Sequence, residues 1–96
     1  MNLSIKALDH VALHVADVEL SVEFYTRVLG LELLTRPAFD FPGAWFRLGG
    51  CQELHLVGER SEAVVSGSRS NHFALEVTNI ADWEAHIKKE RAVHRP

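Results

Sequence analysis

Three histidines in this 96-residue chain stand where alternation would place them on one side of a β-sheet: His10, His55 and His72. Successive side chains of a strand point to opposite faces. In the segment Leu8 to Val15, His10, Ala12 and His14 therefore oppose Val11, Leu13 and Val15. From Cys51 to Val57, Glu53, His55 and Val57 oppose Leu54 and Leu56, and from His72 to Val77, His72, Ala74 and Glu76 oppose Phe73, Leu75 and Val77. A sheet must bury one side against something, so the apolar faces pack on helices and the histidines share the other face. Neutral imidazoles and carboxylates are natural ligands of Zn, Ni, Fe or Mn. A face carrying His10, His55, His72, Glu53 and Glu76 could thus coordinate a divalent metal ion.

Taken singly, a strand histidine facing solvent is a surface residue more often than a ligand. Matched parity and a repeat weigh on the other side: His10-Val-Ala-Leu-His-Val-Ala-Asp-Val recurs in degenerate form as His72-Phe-Ala-Leu-Glu-Val-Thr-Asn-Ile. Duplicated units place equivalent side chains around a shared site. His14 shares the face of His10 but lies ~13 Å further along the strand, so it is read as a wall or surface residue. His86 and His94 do not repeat and are read as solvated.

The elements that must position these residues follow from patterning. Asp17 caps a helix from about Val18 to Leu29, with Glu19 in its first turn and Gly30 at its left-handed stop. Phe24, Tyr25, Val28 and Leu29, with Leu20 or Ser21 one turn back, form its buried stripe. Leu31 to Thr35 is a strand ended by Pro37, and Ala38 to Gly43 is a loop. Ala44 to Leu48 and Cys51 to Val57 flank Gly49-Gly50, a hairpin signal because both glycines can take positive φ. The polar stretch 59–71 reads as a linker between a first unit, residues 1–58, and a second, residues 72–96. In the second unit a strand from His72 to Val77 precedes a helix over about Ile80 to Arg91, capped by Asn79, with Ile80, Trp83 and Ile87 on one face. The fold class is α+β: a βαβββ module followed by a partial second module, βα.

Composition bounds the function. A hydrophobic content of 47% with 24% charged residues is that of a globular domain. The net charge of −3 and the lack of a long Lys/Arg block argue against a nucleic-acid partner. The cations Lys88, Lys89 and Arg91 suit the C-terminal end of a helix dipole. Cys51 is the single cysteine, which excludes an internal disulfide and points to a reducing cytoplasm. No apolar run approaches the ~20 residues that span a bilayer, and the start of the chain lacks the pattern of a signal peptide.

At these residues the chain resembles the vicinal oxygen chelate superfamily, which includes glyoxalase I, fosfomycin-resistance proteins, extradiol dioxygenases and bleomycin-resistance proteins. The similar segments are Leu8 to Leu13, Phe24-Tyr25-Thr26-Arg27-Val28-Leu29-Gly30-Leu31, Trp45 to Gly49, Leu54-His55-Leu56 and Asn71 to Val77, in the family's order. The resemblance implies paired βαβββ modules curled around a metal-centred cavity, a glyoxalase-like fold. It implies that the first strands of both modules supply His10 and His72 as ligands, and that the last strand of the first module supplies His55. The family's remaining ligand, usually a glutamate, comes from the last strand of the second module. Arg95-Pro96 falls where that module's second strand should begin, so the chain reads as a member with its second module truncated.

Three functions are consistent with this reading. One is a glyoxalase- or dioxygenase-like protein, a lyase, isomerase or dioxygenase, using a divalent metal on a small oxygenated substrate. Another is a small-molecule binding protein of the bleomycin-resistance kind without metal catalysis, which would hold an aromatic or planar ligand through Trp45 and Phe39, and the third is an inactive truncated member. An open sheet edge and an uncovered concave face favour a homodimer.

Overall fold

The computed structural model describes residues 2–63 and 71–93. The chain divides into two compact units, Met1–Ser61 and Glu62–Pro96. The first holds β1 (His10–His14), α1 (Val18–Glu23), a π-helical turn (Phe24–Val28), β2 (Glu32–Leu34), β3 (Gly43–Leu48) and β4 (Gln52–Val57), and the second holds α2 (Ile80–Val93).

The four strands form one mixed sheet in the order β1-β4-β3-β2. β2, β3 and β4 run as an antiparallel meander, and β1 returns alongside β4 in parallel. A parallel neighbour requires a crossover, and the helix between β1 and β2 provides it. The sheet alternates as the sequence predicts. Leu54 and Leu56 of β4 and Ala44 and Phe46 of β3 form the buried core, with Val11, Leu13, Val15, Val18, Val22 and Tyr25 packed against it. α1 packs on β3 and β4.

The helix begins as expected. Asp17 holds an extended backbone and its Oδ1 accepts from the Leu20 N–H at 3.1 Å, satisfying one of the donors left open at a helix start. It does not run regularly to Leu29. After Glu23 the ladder widens, and the Leu29 N–H donates to the Phe24 carbonyl five residues back. The wider turn re-aims the side chains beyond Glu23. The packed stripe is Val18, Val22 and Tyr25, with Val28 buried, while Phe24, expected in the stripe, is exposed, and of the alternatives Leu20 and Ser21 it is Ser21 that is half-buried. Gly30 closes the segment at φ 67°.

The hairpin also differs in detail. Leu48 pairs with Gln52, so the loop has three residues, Gly49, Gly50 and Cys51, and only Gly49 takes positive φ, 57°. Three-residue loops need a single left-handed position, and this shortens β4 by one residue at its start.

In the second unit Asn79 caps α2, its Oδ1 accepting from the Asp82 N–H at 3.2 Å. An ion pair from Lys88 to Glu84 spans one turn of the helix. Residues 72–77, expected as a strand, pair with no ladder among the described residues. A strand is completed by the hydrogen bonds of a neighbour, and alternation alone cannot supply one. Phe73, Leu75 and Val77 are exposed, as are Ile80 and Ile87 of the predicted helix face. His86, expected to be solvated, is half-buried and meets Trp83 edge-on at 5.7 Å. His94 lies outside the described residues. No helix among the described residues is long and apolar enough to cross a membrane.

Candidate functional site

The face of the first sheet opposite the core carries the chemistry. Register sets which side chains meet there. His10 of β1 lies opposite Glu53 of β4, Ala12 opposite His55, and Trp45 of β3 opposite His55 on its other side. Because Ala12 is small, the His55 ring has room to lean toward β1. The result is a three-ring stack across three strands. His55 lies 4.2 Å from His10 at 17° and 4.1 Å from Trp45 at 5°. Contact of His10 with His55 is what the parity of the two strands predicts; its extension to Trp45 follows from the same parity in β3.

Each histidine is held by a carboxylate. The His10 Nδ1–H donates to Asp9 Oδ2 at 2.7 Å, and the His55 Nε2–H donates to Glu53 Oε1 at 2.8 Å. A carboxylate only accepts, so these bonds fix where each ring carries its proton. They leave His10 Nε2 and His55 Nδ1 as the nitrogens with an open lone pair. His55 is the more enclosed of the two, its side chain 14% exposed against 44% for His10. His14 plays a different part: its Nε2–H donates to the Gly58 carbonyl at 3.0 Å and ties β1 to the end of β4. Of the two places expected for it, wall or surface, His14 takes the surface: it is exposed.

The ring row continues into the loop before β3. Phe39 lies 6.1 Å from Trp45 and stacks on Phe41 at 5.2 Å, and the Arg36 guanidinium sits 4.9 Å from both phenylalanine rings. Sequence patterning marks residues 38–43 as a loop and offers Phe39 with Trp45 to a planar ligand, but it does not join Phe41 and Arg36 to them. The signal that could have found the row is the run of aromatics and Arg36 entering a strand whose open-face residue is Trp45.

A metal ion would find suitable donor chemistry here. Two imidazoles each braced by a carboxylate through the opposite nitrogen are the form in which histidine binds metals. An imidazole binds a metal in its own plane, however, and two planes stacked at 17° do not meet near the rings. Ligation by both therefore requires one ring to turn. Among the described residues no group of three or more His, Cys, Asp or Glu is already arranged to hold an ion. His72, the third ligand expected, is exposed in the second unit, as is Glu76.

A βαβββ unit with a chemically equipped open face defines a class of fold, the glyoxalase-like module. The family model for the Glyoxalase/Bleomycin resistance protein/Dioxygenase superfamily matches residues 7–92. The chain belongs to that superfamily. A glyoxalase family protein from Bacillus anthracis is similar over 94% of this chain and 74% of its own, with a TM-score of 0.75 and 26% identity. The fold is also that of lactoylglutathione lyase from Agrobacterium tumefaciens, TM-score 0.61 and 22% identity over 91% of this chain and 72% of that one. A mutant of the fosfomycin resistance protein FosX from Listeria monocytogenes, solved with Mn(II) and 1S,2S-dihydroxypropylphosphonic acid, gives a TM-score of 0.71 at 16% identity, covering 91% of this chain and 68% of its own. No curated protein sequence matches the chain significantly.

Proposed function

We propose that the open face of the first module is a small-molecule site in which His10 and His55, joined by His72, hold a divalent metal ion such as Zn, Ni, Fe or Mn. The observation that carries this is the contact of His10 and His55 across β1 and β4, each braced by its own carboxylate. The family supports it, and one solved neighbour carries Mn(II) together with a small oxygenated ligand. A bound ion would supply Lewis-acid stabilisation of negative charge developing on substrate oxygens. The chain's own residues do the rest. Trp45 offers a flat wall for orienting a substrate, and Glu53 braces His55 at the ring nitrogen opposite its open lone pair. The reading is thus of a glyoxalase- or dioxygenase-like protein acting on a small oxygenated substrate.

The test is metal content. Purified protein should hold divalent metal in stoichiometric amount, and His10→Ala, His55→Ala and His72→Ala should each lose it while the circular dichroism of the fold persists. Absence of metal in the parent protein after incubation with all four ions would sink the reading. The close stack of Trp45 on His55 favours a second one, a metal-free binder of planar ligands, which would survive that result.

The chain reads as one full module, residues 1–58, a linker over 59–71 and part of a second module over 72–96. We further propose a homodimer. Within the first unit β1 and β2 are the sheet edges, and within the second Phe73, Leu75 and Val77 are exposed on one parity. Both are surfaces that a second chain can cover. Sedimentation should give twice the 10.8 kDa chain mass at micromolar concentration.

A further inference from the structure

We infer that Arg36 is the anion-binding end of the site, so that the ligand is a small planar carboxylate, its flat body against Trp45 and Phe39 and its charge at the guanidinium. This rests on the open face being a small-molecule site, but not on a metal being there.

Gly43 makes room for the guanidinium on that face. A side chain at Gly43 would point straight into it, meeting Arg36 Nη2 at 3.1 Å and Cζ at 3.2 Å. Gly43 and Trp45 alternate onto the same face of β3, the face of His55. Arg36 therefore lies over the open face, in space that the missing side chain of Gly43 leaves clear. Trp45 and Phe39 bridge it to the histidines.

Charge points the same way. Arg27 and Arg47 are exposed and pair with Glu23 and Glu32. Arg36 is half-buried, and among the described residues no carboxylate lies within ion-pairing distance of it. Its Nη2 donates to the Phe41 carbonyl at 2.7 Å, while its Nε is buried with no acceptor at all. A buried donor left unpaired is costly, and a half-buried cation without a counter-charge adds to that. The planar fork of a guanidinium matches a carboxylate, and packing beside the stacked Phe39 and Phe41 rings already restrains it, so less freedom remains to be lost on binding.

The surrounding surface suits the same ligand. Phe39 is 47% exposed and Phe41 37%, on a loop whose rings stack in order rather than turning into the core. Ordered, exposed rings beside a cation fit a molecule that is flat and anionic together.

The probes are 2-naphthoate and its neutral twin 2-naphthamide, which share a shape and differ in charge. Each is titrated by isothermal calorimetry into the full chain with a chelator present, and again with Mn(II). Without metal, the carboxylate should bind at least about tenfold more tightly than the amide. Arg36→Gln should bring the two within twofold by weakening the carboxylate and leaving the amide unchanged. Arg36→Lys should keep part of the preference, since it keeps the charge but not the fork. Trp45→Ala should weaken both probes alike. Equal binding of the two probes, binding of neither, or a preference that survives Arg36→Gln would overturn the inference. The Mn(II) arm reports separately on the metal: tighter carboxylate binding that Arg36→Gln leaves intact and His55→Ala removes belongs to the ion.

Discussion

Replacing Phe46 by alanine should bring the first unit close to unfolding, whereas the same change at Phe39 should scarcely be felt. Phe46 is 0% exposed, among Ala44, Leu54 and Leu56 on β3 and β4, with the Tyr25 ring 5.9 Å away. Truncating a buried phenylalanine costs ~3–5 kcal/mol, more where the surroundings cannot collapse into the space. Here β3 is hydrogen-bonded on both sides, to β2 and to β4, and the neighbours in the core are carried on those strands. The walls of the cavity are held apart, which places the cost at about 4 kcal/mol. A unit the size of Met1–Ser61 has roughly 3–9 kcal/mol to lose in all. Phe39, on the open face, gives up only ring contacts with Phe41, Trp45 and Arg36, about 1 kcal/mol or less. Urea unfolding followed by far-ultraviolet circular dichroism measures both. Equal losses for the two variants, or a loss under ~1.5 kcal/mol for Phe46→Ala, would refute the assignment of packed and open faces on which the site depends.

Glu53→Gln should weaken divalent metal binding by roughly 10- to 100-fold, the usual effect of removing the brace behind a ligand histidine. Calorimetric titration with Mn(II) checks it, and a loss as complete as that of His55→Ala would make Glu53 a ligand itself. Burial raises the Tyr25 hydroxyl above its ordinary value of 10.0. The folded state then keeps a proton that the unfolded chain releases, so stability should hold up to about pH 10 and fall as pH rises through the folded-state value. Urea midpoints at pH 8 and pH 11 should differ more in the parent than in Tyr25→Phe. Gly43→Ala should destabilise by ~1–3 kcal/mol, because its added methyl would collide with the Leu56 backbone oxygen, which cannot swing away as a side chain would. Thermal melts of Gly43→Ala against Gly50→Ala, where an added methyl meets nothing, isolate that collision.

The legible and the illegible parts of this fold separate by the range of the interaction. Caps are local, and Asp17 and Asn79 could be named because their oxygens reach only three residues along the chain. Strand parity is local too, so the buried Leu54 and Leu56 and the open-face His10 and His55 could be placed without knowing which strands are neighbours. The π-helical turn could not be read, since Phe24 and Tyr25 satisfy an α-helical stripe equally well and only packing on Phe46 decides which ring goes inward. Residues 72–77 carry as clear an alternation as β1, yet only β1 is a strand, because only β1 has β4 beside it.

By itself, then, the sequence determined the faces: which side chains each strand offers to a core and which it offers to a ligand, because a two-residue period is built into the extended chain. The tertiary structure alone decided which offers meet. The parallel return of β1 beside β4 brings His10 and His55 into contact, the register of β3 adds Trp45, and the bare Cα of Gly43 admits Arg36. No local rule carries those meetings, since each depends on residues far apart in the chain being held at one distance by a shared core.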